Sequence, residues 1–202
     1  MVYGELFRDL AHRALLNEEE ELSELNQSNP DARPMSILQA GEVALHYLIT
    51  KKALRDGSAL RIEGEVSYEG NKRSKVDICF LKGKAVCASF EVKMVSLEEE
   101  DWRKRIRKDV EKHLDRTNKI CRELDDSVRY NVALLISPDE LSSQQAERHI
   151  EEGTAGMLKN SDSELWASEA IKLNHVDNDE KGIWNYMSVV VFTGGYTPAR
   201  SK

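Results

Sequence analysis

Asp77, Glu91 and Lys93 are the residues of this chain whose types and spacing could do chemistry. They lie in the stretch KVDICFLKGKAVCASFEVK, Lys75 to Lys93, which reads as two short apolar strands joined through Lys82-Gly83-Lys84. Side chains alternate along a strand, so Glu91 and Lys93 project from one face. A hairpin turning near Gly83 brings Asp77 opposite Glu91 or within one register step of it. Two carboxylates that close repel one another across the strand pair. A cation must offset that repulsion, and a divalent metal ion would do so. Taken alone, Glu91 and Lys93 also fit a cross-strand ion pair on a wet sheet face.

The elements that must position these residues follow from periodicity. Residues 3–25 predict a helix, with Leu6, Phe7, Leu10, Ala14 and Leu15 at helical spacing and an acidic run, Glu18 to Glu21, as its solvated face. The stretch NQSNPDARP ends it. A second helix runs from Ser36 to about Arg55, with Ser36 and Gln39 at capping-box spacing. Its apolar stripe of Leu38, Leu45 and Ile49 includes Glu42, a carboxylate costly to bury unpaired. Either the helix turns Glu42 to its edge, or Glu42 has a purpose inside.

Leu60 to Tyr68 and the two strands of the opening stretch form an antiparallel meander. Val76, Ile78 and Phe80 on one strand, and Val86, Ala88, Phe90 and Val92 on the next, face the core. A long helix begins at Ser96, with Ser96 and Glu99 as a second capping box and a stripe from Trp102 through Thr117 and Cys121 to Leu124. Tyr130 to Ser137 predicts a central strand buried on both faces. A helix from Ser137-Pro138-Asp139 to about Glu152, a short helix at Glu164 to Ile171, an acidic loop from His175 to Gly182, a last strand from Trp184 to Phe192 and a tail from Gly194 complete the chain.

The whole chain, 1–202, reads as one domain: an N-terminal helix and linker (1–33), a core (36–137), C-terminal helices and a last strand (138–193), and the tail (194–202). No apolar run approaches the roughly 20 residues that cross a bilayer. The N-terminus places acidic residues where a secretory signal has a basic and then an apolar region, so a cytoplasmic location is expected. Cys79, Cys87 and Cys121 have no paired spacing, which disfavours a disulfide frame or a zinc site.

The formal charge is −7, unevenly distributed. Residues 1–31 hold two basic residues against eight acidic, and residues 102–122 hold nine against three. That second segment contains Arg103, Lys104, Arg105, Arg107 and Lys108, and with Lys75 it is a candidate surface for nucleic-acid phosphates. A solvated helix face is the alternative reading.

The order helix, three strands, helix, strand, with Asp77 on the second strand and Glu91-Val92-Lys93 on the third, resembles the PD-(D/E)XK nuclease superfamily over roughly residues 36–137. The resemblance implies a restriction-endonuclease-like α/β fold. Its core is αβββαβ, a mixed sheet of four or more strands flanked by helices, here with an added N-terminal helix. It implies Asp77 and Glu91 as ligands of Mg²⁺ (or Mn²⁺), Lys93 as the residue that orients the attacking water or stabilises charge, and Glu42 as a helix glutamate that helps hold the metal. Val76 stands where the name-giving proline would be, and no glutamine follows in the next helix, where Asp109 and Lys112 could serve instead. The implied activity is hydrolysis of phosphodiester bonds in DNA by an endonuclease. The alternative is a catalytically inactive nuclease-fold module for DNA binding or protein assembly. A homodimer would supply the two sites that cutting both strands needs.

Overall fold

The computed structural model describes residues 2–32, 34–39, 41–56, 61–115, 117–155, 157, 163–174 and 185–193, and the side chains of 41–43 and 72 lie outside that description. The elements are α1 (Tyr3–Ser28), α2 (Gly41–Arg55), β1 (Arg61–Tyr68), β2 (Asn71–Lys82), β3 (Ala85–Ser96), α3 (Trp102–Leu114), β4 (Glu123–Ser137), α4 (Ser143–Gly153), β5 (Glu164–Ala167), β6 (Ile171–Lys172) and β7 (Tyr186–Thr193). The expected α/β class with a mixed, helix-flanked sheet is present. Among the described residues the sheet has seven strands, in the order β1-β2-β3-β4-β7-β5, with β6 also paired to β7. The β1-β2-β3 meander is antiparallel, and β4 runs parallel to β3 after the crossover through α3.

Two apolar layers sandwich the sheet. On one face α1 and α2 bring Phe7, Leu10, Leu45 and Ile49 against Ile78, Phe80, Phe90, Val92 and Val132. On the other, α3 and α4 bring Trp102, Ile106, Val110, Ala146 and Ile150 against Val95, Ala133, Leu135 and Val190. β4 is therefore buried on both faces, as its apolar run predicts. Phe90 stacks between Phe7, at 4.1 Å between centroids, and Tyr130, at 5.0 Å. That aromatic anchoring fixes which face Phe90 takes. Alternation then turns Glu91 to the opposite face, toward α3, and a register slip of one residue would reverse both.

Several expectations are corrected. Val76 and Val86 join a separate cluster with Val66, Tyr68, Cys79 and Leu81: Val86 pairs with Leu81 beyond the register shift that follows Phe80, and Val76 pairs with Val66 beyond the irregular Glu65 of β1. Ser96 caps no helix: it is the last residue of β3, paired with Ile136, and α3 starts only at Trp102. Thr117, Cys121 and Leu124 are not helical. Asp115 ends the helix with a turn in which its Oδ1 accepts from Thr117 N at 2.9 Å, and Asn118 Nδ2 donates to Lys112 O at 3.0 Å. Ser36 and Gln39 bracket a 3₁₀ turn ahead of α2. Within the run Glu18 to Glu21, Glu19 is buried, accepting from Ser36 Oγ at 3.2 Å and Ile37 N at 2.9 Å, so it ties the linker to α1.

Glu164 to Ile171 contains β5 and β6 in place of a helix, because β7 offers both an edge to pair with. α4 begins at Ser143, where Ser142 and Gln145 form a reciprocal capping box. The loop His175 to Gly182, Trp184 and the tail from Gly194 lie outside the described residues.

The carboxyl end of α3 is fixed by a buried polar network. Arg129, on β4, donates from Nε to Glu123 Oε1 at 2.8 Å and from Nη2 to Glu123 Oε2 at 2.6 Å. Its Nη1 reaches the carbonyls of His113 (3.1 Å) and Asp115 (2.9 Å), which the helix end leaves without intrahelical partners. Fully buried His113 meets Tyr68 Oη at Nδ1 (2.8 Å) and Ser89 Oγ at Nε2 (3.3 Å). A neutral imidazole protonated at Nε2 satisfies both, accepting from the Tyr68 hydroxyl at Nδ1 and donating to Ser89 Oγ from Nε2.

Burial, with Arg129 nearby, lowers the His113 pKa to about 3. The unfolded chain therefore takes up a proton near its ordinary value of about 6.5 while the folded protein does not. The stability this histidine contributes is present above about 6.5 and is lost as pH falls toward 3, at up to about 1.4 kcal/mol per pH unit. In denaturant titrations at pH 7, 6 and 5, His113→Gln is expected to lose less stability than the wild type between the first and last. Parallel curves for the two proteins would show that His113 is charged in the fold.

Candidate functional site

β2 and β3 separate where the candidate residues lie. Their pairing ends at Ile78 opposite Phe90, one residue short of Asp77 and Glu91. Asp77 Oδ2 takes the Val92 amide at 2.8 Å, which supplies a side-chain acceptor where the ladder has stopped. On β1, Glu65 lies between Gly64 and Val66, the partners of Ile78 and Val76, and has φ 56°, in the left-handed region that disfavours a side chain. The three strands are thus irregular at one level. Backbone of this kind persists only where surrounding contacts hold it.

On the α3 side, β4 continues the row: Asn131 is the parallel partner of Glu91, and Ala133 of Lys93. Glu91, Lys93, Asp109 and Asn131, with Ile106 and Phe192, line a narrow recess between β3, β4 and α3. Its size suits water or an ion, not an organic ligand. Glu91 is 7% exposed and Asn131 is 3% exposed. Lys112 Nζ, one helical turn from Asp109, donates to Glu91 Oε1 at 2.5 Å. Glu91 Oε2 and both polar atoms of Asn131 are buried with no hydrogen-bond partner among the described residues.

The recess makes Glu91 a reluctant anion. Burial first, then the Asp77 carboxylate, raises its pKa to about 7, against the opposing pull of Lys112. The sign for stability is therefore the reverse of the usual carboxylate. Between about 4.5 and 7 the folded state binds more protons than the unfolded, so stability falls as pH rises through that window. The ionised form disfavours folding by on the order of 3 kcal/mol.

Glu91→Gln keeps the shape and removes the charge, while Lys112 is exposed enough to turn to water. The variant is expected to exceed the wild type in stability at pH 8, with the difference shrinking as pH falls from about 7 to 4.5. A variant no more stable than the wild type at pH 8 would mean that Lys112 already offsets the whole penalty. Glu91 and His113 oppose each other between about pH 4.5 and 6.5, so each is read in the variant-minus-wild-type difference, not in the wild-type curve.

The other predicted residues divide. Glu42 lies on α2, but its side chain is outside the described residues. Arg105 is committed inside the protein, to the Glu99 carboxylate and, at 3.0 Å, to the carbonyl of Met94. Arg107 donates to Gly153 O at 2.8 Å, at the end of α4. Arg103 lies over the Trp102 ring at 4.6 Å, and Lys75 holds Glu65 at 2.5 Å. Lys104 and Lys108 are exposed, and with Lys112 they recur every four residues along α3, a basic ridge that ends at Glu91.

Asn131 is the residue that sequence reasoning missed. It sits in an apolar run, YNVALLIS, and an isolated polar residue in a strand buried on both faces is the signal that could have marked it.

Comparison with family models, with curated proteins and with solved structures gives no match to this chain. No helix of the described residues is long and apolar enough to cross a membrane.

Proposed function

We propose that this chain is a metal-dependent nuclease of PD-(D/E)XK type, with a restriction-endonuclease-like fold, that hydrolyses phosphodiester bonds in DNA as an endonuclease. The observation that carries the reading is Glu91: a carboxylate buried beside Asp77, with one oxygen unpartnered, in the same recess as Lys93. Such a cluster opposes folding, and it has a purpose if a ligand supplies the missing positive charge. The meander, the parallel return of β4 and the α3 crossover support the fold assignment.

Mg²⁺ or Mn²⁺ fits the residues present. Among the described residues no group of three or more His, Cys, Asp or Glu stands ready for a metal. Magnesium, however, is commonly held by one or two carboxylates, with waters and substrate phosphate completing its shell. Asp77 and Glu91 would hold it, while α2, which carries Glu42, packs against the other face of the sheet. When bound, the ion acidifies its water and offsets charge on the phosphate. Lys93 then stabilises charge at the phosphate or orients water from the same face as Glu91. Lys104 and Lys108, with Arg103, would guide the DNA backbone toward the recess, while Arg105 and Arg107 hold α3 in place.

The decisive experiment incubates purified protein with plasmid and single-stranded DNA, with Mg²⁺, Mn²⁺ or chelator. Cleavage that requires the metal is the expected result. The rival reading, a nuclease-fold module that binds without cutting, is favoured by one observation: Lys112 already neutralises part of Glu91. Retained DNA binding with no cleavage under any condition would select it.

A further inference from the structure

We infer that Asn131 is an additional ligand-binding group of this site, placing its Oδ1 on the divalent cation, directly or through one water, beside Glu91 Oε2. The inference rests on the nuclease reading above and extends it from β2 and β3 to a third strand. Asn131 is 3% exposed, and neither its amide nitrogen nor its oxygen has a hydrogen-bond partner among the described residues. A buried amide in that condition is disfavoured relative to a satisfied one. Buried polar groups are nearly always paired, so two unpaired atoms on one side chain point to a missing partner.

Position identifies the partner's chemistry. Asn131 pairs with Glu91 in the parallel ladder, and both line the recess that Asp109 and Lys93 also enter. Side chains at paired positions of neighbouring strands share a face. The unpartnered Oε2 of Glu91 and Oδ1 of Asn131 are thus two hard oxygens beside one small space. Oxygen donors of mixed charge in a space of this size suit a divalent cation and its water. The Asn131 amide nitrogen remains a donor for an oxygen of the ion's shell, whether water or phosphate. Lys112 engages the other oxygen of Glu91 and leaves this side open.

The test measures Mn²⁺ binding by electron paramagnetic resonance on the full chain without DNA, so it does not depend on turnover. Asn131→Leu removes both polar atoms at similar volume and is expected to weaken Mn²⁺ binding by roughly tenfold or more. Asn131→Asp keeps the shape and adds charge, and is expected to bind at least as tightly as the wild type. Unchanged affinity in Asn131→Leu, or weakened affinity in Asn131→Asp, overturns the role of Asn131. Asp77→Asn separates the two levels: wild-type binding that ignores Asp77→Asn, or no wild-type binding at all, overturns the nuclease reading and this inference with it. Binding that falls in Asp77→Asn but not in Asn131→Leu removes Asn131 alone.

Discussion

In the nuclease proposed above, Lys93→Ala and Asp77→Ala are each expected to reduce metal-dependent DNA cleavage by roughly 10²–10³-fold or more, the loss typical when one preorganised electrostatic group is removed from a reacting centre. The proposed roles differ, and so should the kinetics. Lys93 would supply positive charge where negative charge develops, so its loss should lower the rate even at saturating metal. Asp77 would hold the ion, so its loss should raise the metal concentration needed. Asp77→Asn is the sharper variant, because an amide oxygen can still accept the Val92 N–H that Asp77 takes at 2.8 Å. It also relieves the repulsion that raises the Glu91 pKa, so the protein should become more stable while losing activity. Opposite signs on stability and turnover separate a site from a structural ion pair, whose loss lowers both. Metal-dependent cleavage that survives in both Asp77→Ala and Lys93→Ala would remove the site assignment.

The largest loss of stability is expected at Arg129→Met. Arg129 is 2% exposed, and its guanidinium engages both oxygens of Glu123 and the carbonyls of His113 and Asp115 at the end of α3. Removing it leaves a largely buried carboxylate without its cation, a change that destabilises by about 3–5 kcal/mol. Glu123→Leu combined with Arg129→Met should recover much of the loss, since a well-packed apolar pair can replace a buried ion pair. Chemical denaturation of the two single variants and the double variant measures the coupling. Additive losses would show that the pair contributes nothing as a pair.

The sequence alone determined the parts of this protein that are local. Alternation along β1, β2 and β3, turns at Gly70 and Gly83 and an apolar run at β4 specify a meander and a buried strand because each depends on neighbours in sequence. The same alternation placed Glu91 and Lys93 on one face. The tertiary structure decided what those residues meet. Ser96 could have capped a helix, but pairing with Ile136 from a distant strand extended β3 through it. Glu164 to Ala167 is short enough to be either helix or strand, and the free edge of β7 settled it.

Arg105 and Arg107 look like Lys104 and Lys108 in sequence, and Arg107 is exposed as they are. Only their hydrogen bonds to the carbonyls of Met94 and Gly153 distinguish the two arginines. The site follows the same rule. Its carboxylates were legible as a spacing on one hairpin. The contact of Lys112 with Glu91, the pKa that burial imposes on Glu91 and the place of Asn131 beside it arise from a parallel pairing and a helix crossover between residues far apart in the chain. Side-chain types and spacing record what chemistry is available, while burial and cross-strand neighbours set which charges must be answered by a ligand.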